Sequence, residues 1–486
     1  MARLGWLGLL GNKDAEPVTG LVLSGGGSRG SFQLGALAYL YRELQIAPRV
    51  IVGTSAGSIL ASAIAQHADP AEQSDAVDTL SDLWFGLREQ SDMFIERPWF
   101  AKLREQAPEW VAMLSPRVAE PPAAPRGWLP TFVRRDPVPT VPEQELEVAP
   151  NDPIALALGD ETDITSSLDW TPGQLMQLLS QVGKIGRAGT DLNSIWQGAD
   201  RTRSCYRPGP LLARLLQPEV FSPDRVATSG VRLRIAMVAL ESGELRFMRE
   251  DGVLVDRNDT PLSPEKHNLA VGVLASCSIP AVFVPVELGG ETYIDGGTRE
   301  SLPGEMAIGH LGTSPTYMVV ASPSGVPAAE SMAQADIISI TMRATSILMD
   351  ESLRDEVAYA RSAGAIVIEP ELDVHDTMSV DPGLIRINWD YGWIRAAEAT
   401  GAVTTAEEVR NRTIIALRMR AHALEQRFIA GIDTKQDLLD LVRLKYRLRD
   451  EVAQAAPGVL PPGAEGWWER FEGHPQQHHL EAPWLE

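Results

Sequence analysis

Ser55 lies in the segment Gly53-Thr54-Ser55-Ala56-Gly57, between an apolar run and a run of helical character. Val50-Ile51-Val52 precedes this segment, and Ser58-Ile59-Leu60-Ala61 follows it. Small residues on both sides of a serine are typical of a sharp strand-to-helix turn that has no room for neighbouring side chains. Such a turn places the serine hydroxyl above the sheet edge, at the positive end of the helix. The segment therefore predicts an exposed, nucleophilic serine on an α/β fold.

The chain around Ser55 alternates between strand and helix patterns. Over residues 18–66 the order is strand, glycine turn, helix, strand, serine turn and helix. The first helix is indicated by apolar residues at helical spacing, namely Phe32, Leu37, Leu40, Tyr41 and Leu44. This alternation predicts a parallel-rich sheet with helices on its faces. Ligands are then expected at the carboxyl ends of the strands.

A glycine cluster, Gly25-Gly26-Gly27-Ser28-Arg29-Gly30, follows the first strand. Backbone N–H groups in such a turn can converge on one point, because no side chain blocks the approach. Acyl transfer requires donors of this kind for the oxyanion that develops in the transition state. We therefore predict an oxyanion hole at Gly25, Gly26 and Gly27, with Gly30 closing the cluster. Arg29 either places positive charge near the oxyanion or only forms contacts that stabilise the local structure.

The same glycines allow a second interpretation. Gly25-x-Gly27-x-x-Gly30 after a strand matches the dinucleotide-binding fingerprint. That fingerprint requires an acidic residue about 20 positions further on, at the end of the second strand, to hold a ribose. The second strand of this chain ends instead in Gly53-Thr54-Ser55. Dinucleotide binding remains the less favoured alternative.

The base that would activate Ser55 is predicted to be Asp295. A conventional triad would place a histidine late in the chain, but the sequence around His310, His375 and His422 distinguishes none of them. Asp295, in contrast, ends the strand pattern Tyr293-Ile294-Asp295 before Gly296 and Gly297, which would aim its carboxylate at the carboxyl edge of the sheet. A buried carboxylate beside Ser55 could accept its proton directly. The competing interpretation is a turn-forming aspartate before glycines.

Charge and composition limit the function classes. The chain has 486 residues, and its net charge of −22 argues against nucleic acid as a partner. Two cysteines, Cys205 and Cys277, form no metal or disulfide pattern, which suits a reducing compartment. The short apolar N-terminal stretch lacks a cleavage site. We expect a cytoplasmic protein.

One uncharged stretch has the length of a membrane span. Residues 269–286 contain no charged side chain, but they include Pro280 and Pro285. Two prolines would break a lipid-exposed helix. A helix end, a loop and a strand are the better prediction, so no transmembrane segment is expected.

An insertion interrupts the α/β pattern at residues 93–205. Ten prolines fall between Pro116 and Pro153, so residues 115–153 are predicted to be a linker or a mobile cover. Thr171-Pro172-Gly173-Gln174 has the pattern of a capped helix start, so residues 154–215 are expected to be mostly helical. The insertion is a candidate lid over the site.

After Thr404 the sequence pattern becomes strongly helical. The apolar pattern of residues 404–456 predicts an antiparallel helical hairpin. Arginine and lysine are concentrated in residues 410–449. These cations belong either to a solvated face with acidic partners or to a surface for anionic lipid headgroups or a partner protein. The final residues, 457–486, are expected to form a flexible tail.

Three separated motifs resemble those of the patatin-like phospholipase family. They are Leu23-Ser-Gly-Gly-Gly-Ser-Arg-Gly30, Gly53-Thr-Ser-Ala-Gly57, and Ala275-Ser-Cys-Ser-Ile-Pro280 with Asp295-Gly-Gly297. The match is specific over residues 18–66 and 231–310 and looser over residues 316–400. The resemblance implies a three-layer α/β/α fold over residues 15–403. It also implies a Ser55–Asp295 dyad that hydrolyses acyl esters of phospholipids without a metal.

The sequence therefore predicts a metal-independent lipid acyl hydrolase of the phospholipase A or lysophospholipase type. The expected partner is a phospholipid or another acyl-ester lipid, with peripheral membrane contact through the hairpin. A catalytically silent lipid- or protein-binding module on the same fold is the alternative. One position departs from the family pattern: Ser301 stands where the family often carries asparagine two residues before a proline.

Overall fold

The computed structural model describes residues 18–102, 203–215, 217–326, 332, 337–401, 403–473 and 480–485. The chain forms two compact units, one of residues 1–101 with 198–486 and the other of residues 102–197. Most of the predicted insertion, with its proline-rich stretch and the helix start at Thr171, lies outside the described residues.

The first unit is built on a ten-stranded mixed sheet. Its strand order is β12-β11-β1-β2-β5-β6-β7-β8, and β10 pairs with both β5 and β9. The strands of the described residues, including the separate pair β3–β4, are β1 Val18–Leu23, β2 Val50–Thr54, β3 Phe94–Glu96, β4 Tyr206–Pro208, β5 Arg232–Ala239, β6 Leu245–Arg249, β7 Val253–Val255, β8 Pro261–Lys266, β9 Val286–Leu288, β10 Glu291–Asp295, β11 Thr313–Val319 and β12 Ile366–Ile368.

The strands at the centre of this sheet are parallel. β12, β11, β1, β2 and β5 run in one direction, and β6, β7, β8 and β10 join by antiparallel pairing. The α-helices described are α1 Gly30–Arg42, α2 Ala56–Ile64, α3 Pro70–Phe85, α4 Pro210–Leu215, α5 Pro223–Thr228, α6 Leu269–Ser276, α7 Ile337–Ser362, α8 Pro382–Thr400, α9 Thr405–Ile429 and α10 Lys435–Ala453. Short 3₁₀ turns occupy Gly27–Arg29, Gln90–Asp92, Gly296–Thr298 and Ala464–Gly466, and a π-helical turn occupies Met306–His310.

Two hydrophobic cores lie on opposite faces of the sheet. Alternate residues of one strand point to opposite faces, so Leu21 and Leu23 of β1 enter one core and Val22 enters the other. The first core is covered by α1, α2, α3 and α8, and the second by α7 and the π-helical turn. This arrangement is the three-layer α/β/α fold that the sequence predicted.

The stretch of residues 269–286 is resolved as the sequence indicated. It forms α6, a loop, and the first residue of β9. No helix in the described part of the chain is long and apolar enough to cross a membrane.

A short ribbon stands at the base of the insertion. β3 and β4, which flank residues 97–205, pair as antiparallel strands from Phe94↔Pro208 to Glu96↔Tyr206. Phe94 is buried and stacks on Phe283, with ring centroids 5.9 Å apart. The two ends of the insertion are therefore held together against the α/β core.

The helical hairpin is present as α9 and α10, but its cations are largely paired. The arginines and lysine that form ion pairs with carboxylates are Arg410, Arg412, Arg418, Arg427, Arg443, Lys445, Arg447 and Arg449. Two of them are buried: the side chain of Arg418 is 1% exposed and that of Lys445 is fully enclosed. The structure thus favours intramolecular partners for these cations over a free basic surface.

The expectation of a flexible tail at residues 457–486 is wrong for the residues described there. Trp467, Phe471 and Trp484 are all buried. Glu472 pairs with Arg418 at 2.7 Å, and the Arg418 guanidinium lies 3.9 Å from the centre of the Trp467 ring. The tail packs because it supplies the carboxylate and aromatic rings that the buried cations of the hairpin require.

The buried cluster around Arg418 generates a prediction about stability. Arg418→Ala leaves the carboxylates of Asp390 and Glu472 buried without their common partner. We expect a loss of about 3–5 kcal/mol in the free energy of unfolding, measured by urea denaturation. Arg443→Ala is the control, since the Arg443 side chain is 72% exposed in its pair with Asp440; we expect a change within about 0.5 kcal/mol. Equal, small effects of the two variants would contradict a stabilising role for the cluster.

Candidate active site

Ser55 occupies the turn between β2 and α2. Its backbone has φ 52° and ψ −127°, a left-handed conformation that costs on the order of 1–3 kcal/mol for a residue with a side chain. A Cβ atom at Gly57 would lie 2.4 Å from the Leu23 carbonyl oxygen, and one at Gly53 would lie 2.5 Å from the Gly57 carbonyl oxygen. The turn can therefore close only with glycine at both positions.

The backbone of Ser55 is held by residues at the end of α6. The Ser55 N–H donates to the Ser276 hydroxyl oxygen at 2.9 Å. The Ser55 carbonyl accepts from the Ser58 hydroxyl at 2.6 Å and from the Cys277 thiol at 3.3 Å. These contacts stabilise the strained turn. In the sequence, Ser276 and Cys277 were noted as part of a family motif, but nothing indicated that they hold the serine.

Asp295 is brought to Ser55 by strand register on β5. β2 pairs with β5 as far as Thr54↔Ala236, and β10 pairs with the same edge of β5 from the opposite direction as far as Asp295↔Met237. β6 occupies the other edge of β5. β2 and β10 therefore meet end to end at adjacent positions of one strand, and their last residues deliver Ser55 and Asp295 to the same place.

The carboxylate of Asp295 is buried, with 3% of the residue exposed. Burial raises the pKa of Asp295 from 3.8 to about 6, although hydrogen bonds from the Ser55 side chain and the Gly297 N–H act in the opposite direction. The Gly297 N–H lies 2.8 Å from Asp295 Oδ1. Gly296 permits this turn to pack closely, since a Cβ there would lie 2.6 Å from the Ala236 carbonyl oxygen.

The glycine cluster lies directly beside the serine. A Cβ at Gly25 would be 3.2 Å from Ser55 Cβ, and a Cβ at Gly26 would be 2.3 Å from Ala321 Cβ. The Gly25 N–H donates to the Ser301 carbonyl at 3.3 Å. Among the described residues, the N–H groups of Gly26 and Gly27 have no hydrogen-bond acceptor. These two donors are available to a ligand, whereas that of Gly25 is engaged.

The remaining members of the cluster serve other contacts. The Gly30 N–H donates to the carbonyls of Gly27 and Ser28, as expected at a helix start. The Arg29 guanidinium donates to the His375 carbonyl at 2.5 Å and pairs with Asp373 at 2.6 Å. Of the two roles considered for Arg29, these contacts favour holding structure.

The three histidines have other environments. His310 is exposed. His375 is buried against Ser28, with 3.3 Å between Nδ1 and the hydroxyl oxygen, and burial lowers the pKa of His375 to about 4. His422 pairs with Asp381 at 2.9 Å. The Ser55 side chain lies close enough to Asp295 to lower the pKa of that carboxyl.

An apolar cavity of about 530 Å³, including its open mouth, adjoins Ser55. Ser55, Gly27, Ala56 and Cys277 are among the residues that line it. Its walls are apolar side chains from α2, α3, the base of the insertion, α4 and the loop after α6, namely Ile59, Trp84, Met93, Phe94, Pro208, Leu211, Leu212, Leu215, Ile279 and Phe283. A hydrocarbon chain would be desolvated there beside the hydroxyl of Ser55.

The part of the chain that contains these site residues matches a known protein family. The family model described as patatin-like phospholipase matches residues 21–308, which include every residue of the cluster, the serine turn and Asp295. The chain belongs to the patatin-like phospholipase family. The resemblance inferred from the three motifs is thereby confirmed, and membership supports activity as a lipid acyl hydrolase.

Individual relatives match less of the chain. Triacylglycerol lipase 4 of Saccharomyces cerevisiae is 55% identical over 49 residues, which are 10% of this chain and 5% of that protein. VipD from Legionella pneumophila aligns over 97% of this chain and 94% of its own, with 13% identity and a TM-score of 0.29. The ExoU–SpcU complex from Pseudomonas aeruginosa aligns over 91% and 73%, with 17% identity and a TM-score of 0.20. At TM-scores this low, neither structure bears on function.

In the part of the chain that the structure describes, no group of three or more histidine, cysteine, aspartate or glutamate side chains is arranged to hold a metal ion. Cys205 and Cys277 are both free cysteines, so neither forms a disulfide.

The contact between Ser55 and Asp295 predicts a measurable coupling. Asp295 should titrate near pH 6 in the folded protein, because burial disfavours its charged form. Ser55→Ala removes a hydrogen bond that lowers the pKa of Asp295, so the midpoint should rise further. Carboxyl ¹³C NMR of aspartate-labelled protein measures both values, with Asp295→Asn to assign the signal. A midpoint near 4 in the wild type would contradict the effect of burial on Asp295, and the absence of a rise in Ser55→Ala would contradict its contact with Ser55.

Proposed function

We propose that the protein is a metal-independent serine acyl hydrolase that cleaves carboxylic esters of phospholipids or lysophospholipids. The observation that carries the proposal is the hydroxyl of Ser55, which lines an apolar cavity and lies close enough to the buried carboxylate of Asp295 to lower its pKa. Family membership supports the same class of substrate. The chain supplies the nucleophile, the proton acceptor and the donors for an oxyanion from its own residues.

The first half of the reaction forms an acyl-enzyme. Asp295 accepts the proton of Ser55 as Ser55 Oγ attacks the ester carbonyl carbon. The carbonyl oxygen becomes an oxyanion, to which the N–H groups of Gly26 and Gly27 donate. Asp295 then returns the proton to the departing alcohol oxygen, and the acyl group remains on Ser55.

The second half releases a fatty acid. A water molecule gives its proton to Asp295 and attacks the acyl carbonyl, and the bond to Ser55 Oγ breaks as Ser55 regains a proton. A carboxylate with a pKa near 6 is still mostly ionised at neutral pH, and it is a stronger base than an ordinary aspartate, so it accepts a proton from Ser55 or from water more readily. The raised pKa thus suits both halves of the cycle.

The apolar cavity is assigned to the acyl chain of the substrate. Its walls include Phe94, Phe283 and Leu211, which would contact methylene groups at a distance from the reacting carbonyl. Binding energy from such remote contacts can orient the ester at Ser55. Phe94 of β3 and Pro208 of β4 also line the cavity, so the base of the insertion borders the space assigned to the acyl chain.

The alternatives from the sequence have less support. The glycine cluster lies against Ser55, where a dinucleotide pyrophosphate would meet the serine turn. A silent binding module would not require an ionisable carboxylate buried in contact with the serine hydroxyl. Membrane contact through the hairpin is not part of the proposal, because most of its cations are paired. A cytoplasmic location remains a prediction.

The test is hydrolysis of mixed phospholipid vesicles in the presence of EDTA, with products identified by mass spectrometry. We expect Ser55→Ala and Asp295→Asn each to lower the rate of fatty acid release by about 10³-fold or more. The unfolding midpoint of each variant should stay close to that of the wild type.

His375→Ala serves as the matched control, because His375 is the buried histidine nearest the glycine cluster. We expect it to keep most of the activity. Activity retained by Asp295→Asn but lost in His375→Ala would replace the dyad with a histidine-based mechanism. No release of fatty acid by wild type, with NAD raising its melting temperature, would favour dinucleotide binding instead.

A further inference from the structure

Glu356 on α7 contacts the loop that follows the Asp295 turn. Its Oε2 accepts hydrogen bonds from the backbone N–H of Ser301 at 3.0 Å and of Leu302 at 2.6 Å. Its Oε1 accepts from the Ser352 hydroxyl at 2.8 Å. One carboxylate thus holds two consecutive backbone donors, and a neighbour on the same helix orients it.

The loop held by Glu356 touches both parts of the catalytic apparatus. The Ser301 carbonyl accepts the Gly25 N–H. The Ser301 hydroxyl oxygen lies 3.4 Å from the position that a Cβ would take at Gly25, and 3.9 Å from the corresponding position at Gly297. Ser301 therefore lies between the glycine cluster and the turn that binds the Asp295 carboxylate, so a displacement of this loop would move both.

We propose that Glu356 is a positioning residue for the reaction at Ser55, acting as a carboxylate that fixes the Ser301–Leu302 loop. The inference rests on the proposed function. Glu356 touches neither substrate nor Ser55; it sets where the glycine donors and Asp295 stand relative to the serine hydroxyl.

The surroundings of Glu356 make its charge state sensitive to pH. It lines a polar cavity of about 700 Å³, including its open mouth, on the side of the sheet covered by α7. The titratable and charged groups facing it there are Arg257, Arg299, Glu300, Glu305, Asp355 and Tyr359. Burial raises the pKa of Glu356 to about 7, and burial together with the charge of Glu356 raises the pKa of Glu300 to about 8.

Protonation should loosen the loop. A protonated carboxyl has one oxygen that carries hydrogen, so it no longer presents two oxygens that only accept, and its bonds to the loop lose the strength of charge-assisted hydrogen bonds. Since its pKa is raised, Glu356 becomes protonated as the pH falls through about 7. Positioning is therefore complete above that pH and is lost below it, before Asp295 itself is protonated near pH 6.

The experiment measures the reactivity of Ser55 with a fluorophosphonate ester, followed by intact-protein mass spectrometry. Ser55 Oγ forms a bond to phosphorus, the P–F bond breaks, fluoride leaves, and Asp295 accepts the proton. This readout needs no lipid substrate. Wild type that is not labelled at Ser55 would overturn the proposed function; wild type that is labelled but releases no fatty acid would place the error in the substrate class and leave the positioning test intact.

Three variants test whether Glu356 positions the groups that react at Ser55. Glu356→Ala should be labelled about 10–100-fold more slowly than wild type, because small misplacements of catalytic groups cost rates of this order. Glu356→Gln keeps an acceptor for the loop N–H groups without a titrating charge, so it should label within a few-fold of wild type at pH 8. Glu351→Gln is the matched control on the same helix, since Glu351 is exposed and pairs only with Arg354 among the described contacts; it should match wild type.

The pH profile separates positioning from a merely structural role. Between pH 5 and 9 the wild-type labelling rate should show an ionisation near 7 in addition to that of Asp295, and Glu356→Gln should retain only the latter. Wild-type rates in Glu356→Ala would overturn the inference. If Glu356→Ala fails to fold, the profile of Glu356→Gln decides: the ionisation near 7 still present would overturn the inference, and its loss would support it.

Discussion

The site depends on the register of two strands on one edge of β5. β2 and β10 approach each other from opposite directions and end at Thr54↔Ala236 and Asp295↔Met237. Because backbone hydrogen bonds fix both registers, a slip of one residue in either strand would move its side chains to the other face of the sheet. The meeting of Ser55 and Asp295 is therefore a property of the sheet rather than of flexible loops, which suits groups that must stay within hydrogen-bond reach.

Burial raises the pKa of Asp295, and it requires neighbouring groups that stabilise the charged form of the carboxylate. Removal of the carboxylate from water raises its pKa toward neutrality, while the Ser55 side chain and the Gly297 N–H keep the charged form accessible. The strained backbone of Ser55 is held by Ser276 and Cys277, which come from an element far along the chain. The strain and the buried charge are both tolerated because surrounding groups satisfy their polar atoms.

The sequence allowed acidic partners for the cations of the hairpin, and the ion pairs of Arg427 with Asp437 and of Arg443 with Asp440 agree with that interpretation. The partners of the two buried cations were not predicted: Arg418 binds Asp390 and Glu472, and Lys445 binds Glu425. A run of charge shows that partners are needed and does not show where they lie. The aromatic residues of the tail were misjudged for the same reason, since Trp467 and Trp484 cover those buried ion pairs.

Local patterns were enough to predict the serine turn, the glycine cluster, the alternation of strands and helices, and Asp295 as the candidate base, because each depends on backbone requirements of adjacent residues. Which N–H groups remain available could not be predicted: the engagement of Gly25 with Ser301, and the support of Ser301 by Glu356, join distant parts of the chain. The bond from Ser55 to Ser276 spans 221 positions. Partners at such separations are chosen by the packing of the sheet and its helices, and no local pattern of residues carries that information.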